Sequence, residues 1–421
     1  LSGISLDGVC TGTCEILVTT ATSKNWLIAN QGNLYVTKDT APLRSRQLLG
    51  GALGDPILRL RFRAENEDID VTNLQINSSG STATSVDALE LYFDGATTAF
   101  ATATVGGCGN DRVSTMVNGT ASRAFCANMQ SNQLVVTKGV DKIVNVRPRI
   151  KTDNAGGQSD EVIQLHIAPS GNYNYQTGSG AVRARGLQSS NNLSGNTSGV
   201  ANGTVFIGAN TAASNAAING SVNETVMAKL DSIVDANPAT GTNPSIPTGI
   251  TPFGQFRFTA LPNSNSLNGL NKFTLSGVIF NVNASNVALA AADFKFYNKA
   301  DQSQKATCTA MTTGGTTIVG SASGAFMVRC NTLLSSSVNT TLNSGEFAIF
   351  VLEGNVTNPN TGVSNATLQA SLQNFSSMSN TAFSASSSHI DWVDQDSAIR
   401  GRFLWVEYPD TVVNSTTYRQ G

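Results

Sequence analysis

Along this chain, apolar and polar positions alternate with a period of two in one short segment after another, with Gly, Asn, Asp and Ser between the segments. That pattern marks strands with one buried face. Leu60, Arg61, Phe62 and Ala64 recur as Phe256, Arg257, Phe258 and Ala260, and counterparts follow each set. In the first copy the alternation predicts strands over 57–64, 69–76, 88–93, 133–136, 143–150 and 161–167. In the second it predicts them over 254–260, 272–282, 293–297, 325–329, 346–352 and 366–372. Ile163, Gln164, Leu165 and Ile167 match Leu368, Gln369, Ala370 and Leu372, so the two faces keep their phase across the duplication. The expected fold is all-β: two tandem Ig-like antiparallel β-sandwich domains with strand-like terminal extensions.

The repeat also suggests boundaries. Residues 1–30 have no counterpart and read as an N-terminal extension with a short strand around Ile16 and Val18. Copy one is expected over 31–168, a Gly/Asn/Ser-rich linker or set of long loops over 169–202, and copy two over 203–375. Residues 32–36 and 203–207 resemble each other, and each is expected to open its copy. Residues 221–236 admit two readings. Ser221 and Glu224 could cap a helix with a Val226, Leu230 and Ile233 stripe, whereas Val226, Ala228, Leu230 and Val234 alternate as a strand. The strand is expected, because 43–49 is strand-like at the corresponding place. Residues 376–421 read as a C-terminal β-hairpin extension carrying Trp392, Phe403, Trp405 and Tyr408.

Composition narrows the compartment and the partners. Only 13% of the 421 residues are charged, and the net charge is -2 with a pI near 5.8. Nucleic-acid binding would need a basic footprint that is missing here. No apolar run is long enough for a membrane span. The six cysteines fall as sequence-local pairs, Cys10 with Cys14, Cys108 with Cys126 and Cys308 with Cys330, and the last two pairs hold equivalent places in the copies. Local disulfides in an oxidising compartment are the economical reading, and the two histidines leave zinc little support. A start at Leu1 suggests a processed end.

Candidate chemistry is sparse. There is no nucleophile elbow, zinc-protease motif, phosphate loop or dinucleotide fingerprint, so no enzyme is expected. By alternation, His166 should face solvent, and its counterpart Ser371 shows that the fold does not need a histidine there. His389 lies near Asp391 and Asp394, a weak acid-base pattern. The densest acidic cluster is Glu65, Glu67, Asp68 and Asp70, the one candidate for a calcium ion, with Asp153, Asp160 and Glu161 able to approach from another loop of the same copy. Otherwise no cofactor is expected. Interface candidates are the unrepeated Ile16, Val18, Trp392, Phe403, Trp405 and Tyr408.

The run Leu48, Leu49, Gly50, Gly51 leading into 59–64 and 67–72, the duplicated Ig-like copies and the aromatic tail 403–408 together resemble repeat-built bacterial cell-surface proteins of S-layer, adhesin or fibre-subunit type. The resemblance covers most of the chain and is one of style, without an invariant motif. It implies an exported protein at the cell surface or outside the cell, a structural subunit that assembles with copies of itself through its terminal strands into a filament or lattice. The alternative is an adhesin that binds surface glycans or a host protein through loops such as 95–125 and 300–325.

Overall fold

The computed structural model describes residues 14–16, 26–28, 31–79, 84–105, 113–117, 120–167, 181–193, 204–208, 217–238, 243–263, 272–359, 365–379, 383, 389–394 and 402–420. Among these residues the chain is all-β, with short 3-10 turns and no α-helix. It divides into two β-sandwich-like units. Unit 1 comprises 1–44, 54–149 and 163–222, and unit 2 comprises 45–53, 150–162 and 223–421.

Unit 1 is organised on the strand Leu58–Glu65. Leu58, Leu60, Phe62 and Ala64 point into the core and are fully buried, while Arg59, Arg61, Arg63 and Glu65 take the other face. Asn33–Lys38 lies on one side, with Leu34 opposite Ala64 and Val36 opposite Phe62. Asp141–Ile150 lies on the other, with Ile143 opposite Arg61 and Val144 opposite Leu60. A further group of strands gathers on Ile69–Ser79, which pairs with Thr120–Asn128, Val162–Ile167 and Val182–Gly186. Ile69, Val71, Leu74, Ile76, Phe125, Ile163 and Leu165 fill the interior.

Unit 2 repeats the plan in register. Gly249–Ala260 takes the central place, paired with Leu230–Asp235 and with Phe347–Asn358. Leu230 sits opposite Ala260 as Leu34 does opposite Ala64, and Ile349 sits opposite Arg257 as Ile143 does opposite Arg61. The 18-residue strand Phe273–Ala290 pairs with Ser321–Cys330 and with Thr367–Leu372. Ser371 there faces Asn281, as His166 faces Asn77 in unit 1. The core of unit 2 is a phenylalanine cluster in which Phe258, Phe296 and Phe350 touch at 5.2–5.3 Å between centroids. Such ring contacts add to the area they bury.

Three expectations need correction. The 203–207 segment does not open the second copy: Val205–Ile207 pairs in parallel with Asn33–Lys38 inside unit 1, and Leu230–Asp235 is the topological equivalent of Asn33–Lys38. The division between units therefore falls at 222/223 rather than after 202, in the course of the strand Ile218–Val226, and within the expected linker the described strand Val182–Gly186 pairs with Ile69–Ser79 of unit 1. The 376–421 segment is likewise no free extension. Ile390–Val393 pairs with Phe273–Ala290, while Val413–Asn414 and Tyr418–Arg419 pair with Thr367–Leu372. Two short pieces, 45–53 and 150–162, also belong to unit 2. Their main-chain partners lie there: Gln47–Leu49 pairs with the end of Ile218–Val226, and Asp160 N–H donates to Thr225. A contiguous reading of the repeat has no means of seeing such exchanges. The 221–236 segment forms strands, in agreement with its alternation.

Cys308 and Cys330 form a disulfide as the local pairing predicts, with their Cα atoms 4.5 Å apart. Cys126 is also disulfide-bonded. Cys10 and Cys108 lie outside the described residues, and Cys14 is described only as backbone in Cys14–Ile16, which pairs with Trp26–Ile28. Replacing Cys308 and Cys330 together by alanine should lower the unfolding free energy by roughly 3 kcal/mol, the loop-closure value for a short loop. Urea unfolding of the oxidised proteins measures it, and an unchanged midpoint would refute the expectation.

Candidate functional site: buried carboxylates and a charged sheet face

The acidic turn of unit 1 is a structural knot. Glu67 is 6% exposed, and its Oε1 accepts hydrogen bonds from Gly32 N–H at 2.7 Å and Ser189 Oγ at 2.7 Å. Its Oε2 accepts from the N–H groups of Gln188 at 2.9 Å and Ser189 at 2.8 Å. Burial pushes the Glu67 pKa up, but the bonds from Ser189, Gln188 and Gly32 outweigh it and hold the group below its ordinary value. A side chain at Gly186 would put its Cβ 2.2 Å from Glu67 Oε1, so that position needs glycine. Asp68 accepts from Lys138 N–H at 2.7 Å, and Asp70 from Asn132 N–H at 3.1 Å. Glu65 is exposed and turns toward Tyr35. The four candidate calcium ligands thus spend their oxygens on different loops and do not converge. Among the described residues no group of three His, Cys, Asp or Glu could hold a metal ion. Asp160 and Glu161, expected beside this turn, belong to unit 2.

In unit 2 the aromatic tail is core. Trp392, Phe403 and Trp405 are at most 1% exposed, and Trp392 stacks on Phe273 at 4.7 Å. All three are consumed inside the unit. Tyr408 is half-buried, its hydroxyl accepting from Arg46 at 3.2 Å. Val18 lies outside the described residues, and of Ile16 only the backbone strand is described.

Around this tail two buried glutamates are handled in opposite ways. Glu407, 1% exposed, lies 2.5 Å from Arg46 Nη1 and 2.6 Å from Lys229 Nζ, and accepts from Gln47 N–H at 3.0 Å. Burial pushes its pKa up, but Lys229 and Arg46 more than offset this and keep it ionised below the usual range. Glu224, 4% exposed, accepts from the Trp405 indole N–H at 2.7 Å. Burial, together with Asp160 and Asp394, raises its pKa to about 7 despite the indole bond. Asp394 accepts from Ser159 Oγ at 2.5 Å and from Met227 N–H at 2.8 Å. Glu224 shares a side-chain hydrogen bond with Asp160, which Glu224 donates when protonated, and burial raises the pKa of Asp160.

The outer face of the central strand in unit 1 is different, being open and charged. Arg59, Arg61 and Arg63 stand on alternate positions. Arg59 pairs with Asp39 at 2.8 Å, while Arg61 and Arg63 each reach Asp141 at 3.6 Å. Arg61 Nε donates to Thr37 Oγ1 at 3.2 Å. Tyr35, opposite Arg63, stacks on Phe206 at 5.0 Å and hydrogen-bonds Glu65, and burial with Glu65 raises its pKa. Tyr35, Arg61, Arg63 and Glu65 line an open cleft of about 350 Å³.

His166, expected at the surface, is 5% exposed, because the polar face of Val162–Ile167 is covered at that end, and burial lowers its pKa. His389 is likewise lowered by burial; its neighbour Asp391 binds Arg402 and Asp394 binds Ser159, so the weak acid-base pattern is not assembled. Sequence reasoning missed Arg46, Asp160, Glu224 and Glu407 as a set, since they come from distant segments. It missed Arg61 and Arg63 as a site although their alternation, in a chain with so few charges, was a usable signal.

No family model matches the chain, and no curated protein matches it. Among solved structures it aligns with BspA_C_WT at 9% identity and a TM-score of 0.19, covering 91% of this chain and 99% of the other. It aligns with the Enterococcus faecalis MSCRAMM ACE, which binds its ligands by the collagen hug model, at 9% identity and a TM-score of 0.16, covering 91% and 96%. It aligns with the collagen binding domain of Erysipelothrix rhusiopathiae surface protein RspB at 10% identity and a TM-score of 0.15, covering 93% and 98%. At such TM-scores the likeness carries no argument.

Two predictions follow from the carboxylates. Glu67→Ala strands four donors and should destabilise the protein by about 3 kcal/mol; because its folded pKa is depressed, the stability it supplies is lost as pH falls through that value. Urea unfolding at neutral pH checks the first part, and a variant as stable as the parent contradicts it. Glu224 behaves in the opposite sense. Its folded pKa is raised from 4.5 to about 7, so its contribution is complete below 4.5 and declines as pH rises toward 7. The loss amounts to about 3 kcal/mol over that window. Glu224→Gln should flatten the decline, and parallel stability-pH curves for the two proteins would rule this out.

Proposed function

We propose that this chain is a non-catalytic cell-surface or extracellular protein of adhesive type, in which a duplicated β-scaffold displays a ligand-binding face on unit 1. The observation that carries the reading is the contrast between the copies at equivalent places. Tyr35, Arg61, Arg63, Glu65 and Asp141 of unit 1 correspond to Ser232, Arg257, Thr259, Leu261 and Phe347 of unit 2. The inward-facing residues keep their character, whereas of this outward set only Arg61 is retained, as Arg257, so the full charged set is not needed to build the fold. The disulfides favour an oxidising location outside the cytoplasm. The low charge content suits that setting.

A second reading, a self-assembling filament or lattice subunit, has one observation in its favour. Among the described residues, Leu230–Asp235 is an edge strand paired only with Gly249–Ala260. It borders an open groove of about 520 Å³ shared with Tyr408 to Asn414, on which Val234 and Val412 are 40% and 48% exposed. A strand of a second copy could add to that edge. With Trp392, Phe403 and Trp405 in the core, residues 1–30 are the segment proposed to supply it.

Sedimentation and electron microscopy of the whole purified chain, with binding to immobilised cells and extracellular matrix, separate the two. The adhesive reading expects monomers that bind saturably. Polymers that disappear on Val234→Lys or on removal of residues 1–30 would favour the second reading, and monomers that bind no surface would refute the first.

A further inference from the structure

The two carboxylates and two guanidinium groups around Tyr35 set the chemistry of what the unit 1 face can hold. Arg61 and Arg63 supply planar forks of N–H donors, and Asp141 and Glu65 supply only acceptors. The charges balance, two positive against two negative, so the cleft offers no net attraction to an anion or a cation. The ion pairs here are loose, 3.6 Å from each arginine to Asp141, and the side chains of Arg61, Arg63 and Asp141 are 31%, 52% and 36% exposed. Their donors and acceptors therefore remain partly open to a ligand at little cost in stability. Tyr35, held against Phe206, adds an aromatic ring beside them. The cleft of about 350 Å³ is at the small end of ligand-binding sites. A ligand that carries many groups able to donate and accept at once, an apolar C–H face for the ring and no net charge matches this wall.

We propose that the Tyr35, Arg61, Arg63 and Glu65 cleft, with Asp141 at its rim, binds a neutral oligosaccharide, whose hydroxyls bridge the guanidinium and carboxylate groups while a pyranose face packs on Tyr35. This rests on the adhesive reading and gives it a ligand class. It also places the site away from the loops 95–125 and 300–325 to which the sequence pointed. Unit 2 cannot form an equivalent site, because Ser232, Thr259, Leu261 and Phe347 replace the ring, one guanidinium and both carboxylates.

The test applies the whole chain to an array of neutral, uronic and sulfated oligosaccharides, followed by calorimetric titration of the best neutral one. Selective binding to neutral sugars is expected. It should weaken at least roughly tenfold in Arg61→Ala/Arg63→Ala and in Tyr35→Ser, which removes the ring, with unchanged melting temperatures, and persist in Tyr35→Phe, which keeps the ring, and in Arg257→Ala, the equivalent position of unit 2. Preference for acidic or sulfated sugars overturns the inference, as does neutral-sugar binding indifferent to the unit 1 variants. If the chain binds no sugar yet still adheres to immobilised surfaces, the ligand class is wrong and the adhesive reading survives. If it adheres to nothing, both fail.

Discussion

The phase of the central strand is the constraint on which each unit depends. In Leu58–Glu65 every second side chain enters the core, and in Gly249–Ala260 the same alternation holds from Phe256 to Ala260. Sliding either strand by one residue would drive Arg61 or Arg257 inward and expel Phe62 or Phe258. Burying one unpaired guanidinium costs far more than a strand pairing returns, so the register is fixed on both sides. The neighbours then have no freedom: Leu34 and Leu230 must meet Ala64 and Ala260, and Ile143 and Ile349 must lie beside the arginines.

The buried acids show a second constraint, which is that a carboxylate removed from water must find donors, cations or a proton. Three of the buried glutamates illustrate the three solutions. Glu67 is satisfied by backbone amides and Ser189, and it ties three separated segments of unit 1 together. Glu407 is satisfied by Arg46 and Lys229, fixing the tail segment against the early 45–53 piece. Glu224, flanked by Asp160 and Asp394, has its affinity for a proton raised, with a pKa of about 7. All three join segments far apart in sequence, and so the same chemistry that might suggest reactivity is used here to hold the chain together.

Scaffold and recognition are separated by face. The inward residues of both copies are interchangeable apolar groups, whereas the outward face of unit 1 carries Tyr35, Arg63, Glu65 and Asp141, which unit 2 replaces with Ser232, Thr259, Leu261 and Phe347. A duplicated fold frees one copy's surface to diverge without loss of its core, since side chains on the outer face of a sheet contribute little to packing. Function argued from the site therefore points to unit 1, whatever the ancestry of the two copies.

By itself the sequence determined the all-β class, the duplication, most strand positions, the strand nature of 221–236 and the Cys308–Cys330 bond, because each is recorded in local period or short spacing. Only the tertiary structure decided the rest. It moved Val205–Ile207 to the edge of Asn33–Lys38, folded Trp392, Phe403 and Trp405 into a core, buried His166 and turned the acidic turn from a candidate ion site into a set of amide-bound carboxylates. It also gathered Arg46, Asp160, Glu224 and Glu407 from four distant stretches. The reason is the range of the interactions: alternation reports which face of a strand is apolar, but what covers that face, and which donor meets which carboxylate, depends on segments a hundred or more residues away, as between Glu67 and Ser189 or Arg46 and Glu407.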